Sequence, residues 1–441
     1  MAIIPQKQLF GWQEIDELGD LERLRLVLEH LPDEPLMRLL EGERGRGRND
    51  YPVRAVWNSI LAGIVYQHES IESLRRELSR NAQLRQVCGF DVFGGEDAVP
   101  PAWVYTRFLR RLKRHSEAIE GLFDDLVERM REVLPDFGRT LAVDGKAIRT
   151  HARPRGRDEV PKACDGRRDT DADFGAKTHR EVRDNGSLYE RVKRWFGYKV
   201  HLVVDADYEL PVAFEVTKAS ASEAPQAHKL VKELERKHPG LLDTCEAMLA
   251  DKGYDDTKLI KGLWDEHEIK PAIAIRDMWQ DGEPTKLVPG TRNVVYDYAG
   301  KVYCHCPKTG KVRSMAYGGF EKDRGTLKYR CPAVHYGIEC AGKKRCRVCG
   351  AVRIKLEEDR RVFTPLARSS YAWRKTYDKR TAVERVNSRL DVSFGFERHF
   401  IRGLKKMKLR MTLALAVMLV MALGRVKEKQ KDKMRSLVKA A

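Results

Sequence analysis

TLAVDGKAI, residues 140–148, is the stretch on which the fold turns. Leu141, Ala142 and Val143 run into the turn-forming pair Asp144-Gly145, and Ala147 and Ile148 follow, which reads as a short strand. An acid inside an apolar strand is costly to bury unless it is paired or metal-bound. Asp144 is therefore a candidate site residue; a turn acid at the strand's end is the plainer alternative. Downstream, the charged stretch 150–195 predicts a long loop. YKVHLVVDADYELPVAFEVT (198–217) predicts a hairpin bent around Asp205-Ala206-Asp207. A helix in SASEAPQAHKLVKELERKH, a strand in 246–255, a helix in 256–267 and a strand in 270–276 complete the order β-β-β-α-β-α-β. That is a mixed α/β layer.

Two further acids stand out in this frame. Asp251 closes the strand MLA, and ligand groups gather at the carboxyl ends of strands in α/β sheets; a capping role beside Gly253 is the alternative. Residues 277–365 break the rhythm with Gly, Pro, Cys and many charges, which marks an insertion. Beyond it, KTYDKRTAVERVNSRLDV (375–392) predicts a helix. Tyr377, Arg380, Glu384, Asn387 and Asp391 recur there at steps of 3, 4, 3 and 4, one helical face. A Tyr, an Arg and a Glu on one stripe suit phosphate and metal side by side, although an Arg380–Glu384 surface pair is the commoner meaning of such spacing.

Upstream, residues 1–135 read as helical, with apolar residues at three- and four-residue steps. Ser70 is a plausible cap and Glu72 suits the first turn, but Ser73 leaves the capping box incomplete. A helix near 101–134 carries Arg107, Arg110, Arg111, Lys113 and Arg114, either a solvated face or a contact for a polyanion. MTLALAVMLVMAL (411–423) is about 13 residues long, short of the ~18–20 that span a bilayer, and predicts a buried helix. From Arg402 onward twelve Lys/Arg face two Asp/Glu. The expected divisions are 1–137, 138–276, 277–365, 366–400 and 401–441.

The 441 residues carry 83 Lys+Arg against 65 Asp+Glu, a formal charge of +18. Such an excess points to a polyanionic partner, nucleic acid or an acidic membrane surface. Hydrophobic residues at 42% exclude a disordered chain. The N-terminus lacks the pattern of a signal peptide. Six of the nine cysteines, Cys304, Cys306, Cys331, Cys340, Cys346 and Cys349, crowd into the insertion. The odd total argues for reduced thiols. Cys346 and Cys349 have the C-x2-C spacing of a zinc knuckle, which Cys304, Cys306, Cys331, Cys340, His305 or His335 could complete. A segment so poor in apolar residues is expected to lean on a structural zinc for want of its own core.

LAVDGKAI, YKVHLVVD, LADKGYDD and YDKRTAVERVNSRL together resemble the DDE transposases of bacterial insertion sequences, as do NDYPVRAVWNSILAGI and SIESLRRELSRNAQLR in the helical lead-in. The resemblance runs from about residue 45 to 425. It implies a ribonuclease-H-like core and metal-dependent cleavage and strand transfer of DNA at element ends. It further implies two Mg²⁺ or Mn²⁺ ions on Asp144, Asp251 and Glu384, with a homodimer at work in a bacterial cytoplasm. Tyr377 and Arg380 match a Tyr-x2-Arg-x3-Glu group within these enzymes. That group has a Lys seven residues after the Glu, where this chain has Asp391. Lys146, Lys252 and Tyr254, flanking the first two acids, are expected to touch phosphate or stack on a displaced base; a surface turn for Lys146 and core packing for Tyr254 are the alternatives. A catalytically inactive DNA-binding remnant and a nuclease that cuts without joining are the competing functions.

Overall fold

A computed structural model describes residues 19–45, 50–154, 169–182, 188–346, 348 and 350–436. Among these residues the chain opens with α1 (Leu21–His30), α2 (Glu34–Arg44), α3 (Val53–Val65), α4 (Ile71–Arg80), α5 (Ala82–Cys88), α6 (Ala102–Arg114) and α7 (Ser116–Val133). Local signals start several of them. The Ser70 hydroxyl accepts the Ser73 amide at 3.1 Å, and Asn81 accepts the Leu84 amide at 3.0 Å. α3 is apolar almost all round and is buried almost all round. Its Trp57 donates an indole N–H to Asp33 at 2.6 Å, so its one polar atom is satisfied inside the core.

The sheet begins with β1 (Thr140–Arg149). β2 (Asp173–Val182), β3 (Leu188–Asp205) and β4 (Leu210–Lys218) follow. α8 (Glu223–Lys237) and α9 (Pro239–Thr244) lead to β5 (Ala247–Ala250), and α10 (Thr257–Asp265) leads to β6 (Lys270–Ile273). β1 lies antiparallel to β3, with Asp144 opposite Leu202. It lies parallel to β5, with Val143 opposite Ala250, and β5 is parallel to β6. The β3–β4 hairpin bends at Asp205–Asp207 as expected. Across the sheet the order is β4-β3-β1-β5-β6. Asp205 is sealed inside and accepts the Gly138 amide at 2.7 Å, which fixes where β1 enters.

Three expectations need correction. Part of the presumed loop 150–195 is β2 and the first half of β3, paired from Asp173 opposite Gly197 to Val182 opposite Leu188. Both faces of that ribbon meet solvent, so it shows no apolar alternation; residues 155–168 and 183–187 lie outside the described chain. Next, the single helix 375–392 is two: α12 (Tyr371–Asp378) and α13 (Thr381–Phe394). Around the break Arg380 N–H reaches the Tyr377 carbonyl and Val383 N–H the Arg380 carbonyl, a tightened three-residue turn.

The insertion is the third. It builds one sheet from β7 (Lys286–Leu287), β8 (Val294–Tyr296), β9 (Val302–His305) and β10 (Val312–Ser314). A second comprises β11 (Ala316–Glu321), β12 (Thr326–Arg330) and β13 (Ala351–Lys355), with the short α11 (Pro332–His335) between the last two. Val294, Val302, Leu327, Tyr329, Ile354 and Phe363 bury a core of its own. Buried Arg368 ties it to the main sheet through the carbonyls of Arg361 and Ile273.

α14 (Leu404–Lys427) contains the apolar run 411–423 and is, among the described residues, the helix long and apolar enough to cross a membrane. It is buried instead. α1, α3, α6, α7 and β4 all pack on it, so the lead-in helices and the sheet share one core.

Candidate active site

β1 runs on past the end of β5, so Asp144 sits at the level where β5 gives out and Asp251 follows. Parallel neighbours point the same way, and the two acids are brought together. Burial pushes the Asp144 carboxyl up to about 6; Lys177 opposes the rise and Asp251 adds to it. Asp251 also holds its own loop, accepting the Gly253 amide at 2.7 Å.

A third carboxylate, missed in the sequence, arrives from the first turn of α8. Glu223 lies 3.4 Å from Lys199 Nζ. A Cβ at Gly253 would collide with the Glu223 carboxylate and stand 2.9 Å from that of Asp251; one at Gly145 would stand 3.0 Å from Glu223. Two glycines therefore let the Glu223 carboxylate come in beside Asp251. A lone Glu at a helix start is unremarkable in sequence, so nothing marked it.

Glu384 does not join them directly. It lies in the first turn of α13, which packs on β1 and β3, and it is held by Arg380 at 2.8 Å with its side chain 53% exposed. Arg380 also stacks 5.7 Å from the Tyr377 ring and lowers the Asp144 carboxyl, so it lies between the two acids in effect. Among the described residues no three His, Cys, Asp or Glu side chains stand close enough to chelate an ion.

The flanking residues divide. Tyr254 is wholly buried, so it is not placed to stack on a base, which corrects that expectation. Its hydroxyl has no partner among the described residues, and burial, with Asp144, Glu223 and Asp251 beside it, pushes its ionisation up. Lys252 is exposed. Lys146 is held by Asp391 at 2.5 Å, so a cation reaches the seventh position after Glu384 from the strand rather than the helix. Arg389 pairs with Glu209 at 2.6 Å and is turned away.

In the insertion, Cys304, Cys306, Cys331, Cys340 and Cys346 line one small cavity with His305. Cys306 and Cys340 are 3.8 Å apart. Burial pushes the Cys304 thiol up to about 11, and Cys331 and Cys346 add to it. Thr309 and neighbouring amides hold Cys306 down at about 6. Cys349 lies outside the described residues, and His335 is not on that cavity.

The basic segments also separate. On α6, Arg111 and Arg114 share Glu43, whereas Lys113 and Arg110 gather with Lys405 and Lys406. The segment after α14 is docked: Arg425 pairs with Glu22 at 3.0 Å and Arg435 with Glu209 at 3.2 Å.

The mixed sheet thus gathers Asp144 and Asp251 from neighbouring parallel strands, with α13 and its Glu384 packed on β1 and β3. The family model of the transposase DDE domain matches residues 135–420, and the chain belongs to that family. A solved piggyBac transposase, in a synaptic complex with hairpin DNA, aligns at 12% identity and a TM-score of 0.34 over 96% of this chain and 80% of that one. No curated protein matches the sequence.

Proposed function

We propose that this transposase is an active enzyme of a bacterial insertion sequence that cleaves DNA at the element's ends and joins the freed strands to a target. The observation that carries the reading is the pairing of Asp144 on β1 with Asp251 at the end of the parallel β5, with glycines 145 and 253 admitting the Glu223 carboxylate beside them. The order β4-β3-β1-β5-β6 agrees with a ribonuclease-H-like core. A carboxyl raised by burial, with the charge of Asp251 adding to the rise, beside a buried tyrosine hydroxyl that has no partner among the described residues, is a setting a divalent cation would relieve. Asp144 and Asp251 would hold Mg²⁺ or Mn²⁺, and Glu384 would complete the set on leaving Arg380. Bound there, two such ions would supply acidification of an attacking water and charge stabilisation of the leaving oxygen.

The chain's own groups supply the rest. Lys177, Lys199 and Arg380 set cations around the acids, where a scissile phosphate needs charge balance. Water attacks phosphorus and loses a proton, the bond to the 3′ oxygen breaks, and that oxygen takes up a proton to leave a 3′-hydroxyl and a 5′-phosphate. The hydroxyl then attacks a target phosphodiester, losing its proton as the target's own P–O3′ bond breaks and its 3′ oxygen is protonated. A homodimer would hold two ends at once. The thiol cavity of the insertion would take one structural zinc through Cys346 and neighbouring thiols.

Cleavage and joining assays on the DNA flanking the reading frame test this. Asp144→Asn and Asp251→Asn should each lose at least about 10³ in cleavage while still binding. Near-wild-type cleavage by either refutes the assignment; cleavage by the wild type without joining makes it a nuclease, and binding alone makes it a repressor.

A further inference from the structure

The β2–β3 ribbon is unlike the rest of the sheet. Cross-strand register pairs Lys177 with Lys193, Gly175 with Trp195 and Thr178 with Val192. Side chains alternate between faces, so Lys177, Lys193, Arg191 and Trp195 share one face. The opposite face is mixed: Phe174 and Phe196 pack at 5.2 Å, with Val192 and Arg194 beyond. Like charges directly opposite on a ladder are destabilising. Even so, Lys177, Arg191 and Lys193 are exposed and form no ion pair among the described residues.

That cationic face is continuous with the acids. Trp195 roots the ribbon, its indole N–H donating to the Tyr198 carbonyl at 3.0 Å, and the ring lies where any side chain at Gly175 would stand. Lys199 Nζ is 6.0 Å from that ring and 3.4 Å from Glu223. From Arg191 through Lys193 and Lys177 to Lys199, positive charge therefore leads down one face to Glu223 and Asp251. Same-face residues on a strand stand roughly 7 Å apart, a spacing at which successive phosphates of one strand can each meet a cation.

We infer that this face of the ribbon is a docking surface for duplex DNA, gripping the phosphate backbone and leading it to the acids. The inference rests on the proposed transposase reading and adds to it the place where the duplex lies. It concerns backbone contacts, so it carries no base specificity.

The test measures binding of the full chain to a short mixed-sequence duplex over a range of salt. Each phosphate contact contributes about 0.9 to the slope of log K against log salt. The double variant Arg191→Ser/Lys193→Ser should lower the slope by about 1.8 and weaken binding. Arg194→Ser, on the other face, should leave both nearly unchanged. Matching thermal unfolding of all three proteins checks that the exposed substitutions spare the fold. An unchanged slope in the double variant, or an equal fall in Arg194→Ser, overturns the proposal. A wild type that binds through this face yet never cleaves would sink the enzymatic reading and leave the ribbon standing.

Discussion

Replacing Glu384 by Gln asks which glutamate is the third acid of the site. In the free protein Glu384 points to Arg380 across one helical turn and is half exposed. Such a pair contributes about 0.3–0.5 kcal/mol. Leaving Arg380 for a cation beside Asp144 therefore costs only about a factor of two, and the present orientation does not disqualify it. Loss of a charged ligand should remove at least about 4 kcal/mol of transition-state stabilisation, or about 10³ in single-turnover cleavage. Glu223, by contrast, is engaged with Lys199, and Glu223→Gln should cost no more than about a hundredfold through that contact. Gel-shift affinity for the same DNA should be nearly unchanged in both. If Glu384→Gln cuts within about tenfold of wild type while Glu223→Gln falls by about 10³, the third ligand is Glu223 and the helix stripe has been misread.

Other outcomes can be checked more simply. His201 is fully buried, and burial holds it neutral, with its pKa down at about 3, Lys199 and Lys229 adding to the fall. Its unfolded value lies near 6.5, so stability is full above that pH and falls by up to about 1.4 kcal/mol per pH unit between about 6.5 and 3. Urea midpoints against pH should show a slope that His201→Gln reduces. Leu415→Ala, in the middle of α14, should cost about 2–5 kcal/mol. Lead-in helices and sheet should still unfold in one transition, and two resolved transitions would contradict the shared core. Metal analysis of protein purified without added zinc should find about one zinc per chain, lost in Cys346→Ser. Less than about a tenth of an equivalent would leave the cysteines as ordinary thiols.

The strand positions of Asp144 and Asp251 were legible because each interrupts or ends an apolar strand run, and strand pairing is set by such runs. Ser70 was legible because capping is local. The ribbon was not: with solvent on both faces, Lys177 and Lys193 produce no alternation of apolar and polar residues. Nor was the break at Lys379–Arg380, where no Gly or Pro announces it. The insertion's core escaped because its Val, Tyr and Ile residues sit singly among charges and meet only once β12 pairs with both neighbours. Contacts such as Lys146 with Asp391, 245 positions apart, have no local signal at all.

The burial of α14 also sets a timetable for synthesis. The apolar faces of α1, α3, α6, α7 and β4 converge on a segment that leaves the ribosome after all of them. At about 5–20 residues per second, the earliest of those helices waits on the order of tens of seconds for its partner. During that interval the nascent chain carries unsatisfied greasy surface and is a natural client for holding chaperones. A message cut short before codon 404 would yield a chain with the acids at positions 144, 251 and 384 but without the helix around which its core closes, and such a product should be cleared by proteases rather than persist as a rival at the DNA.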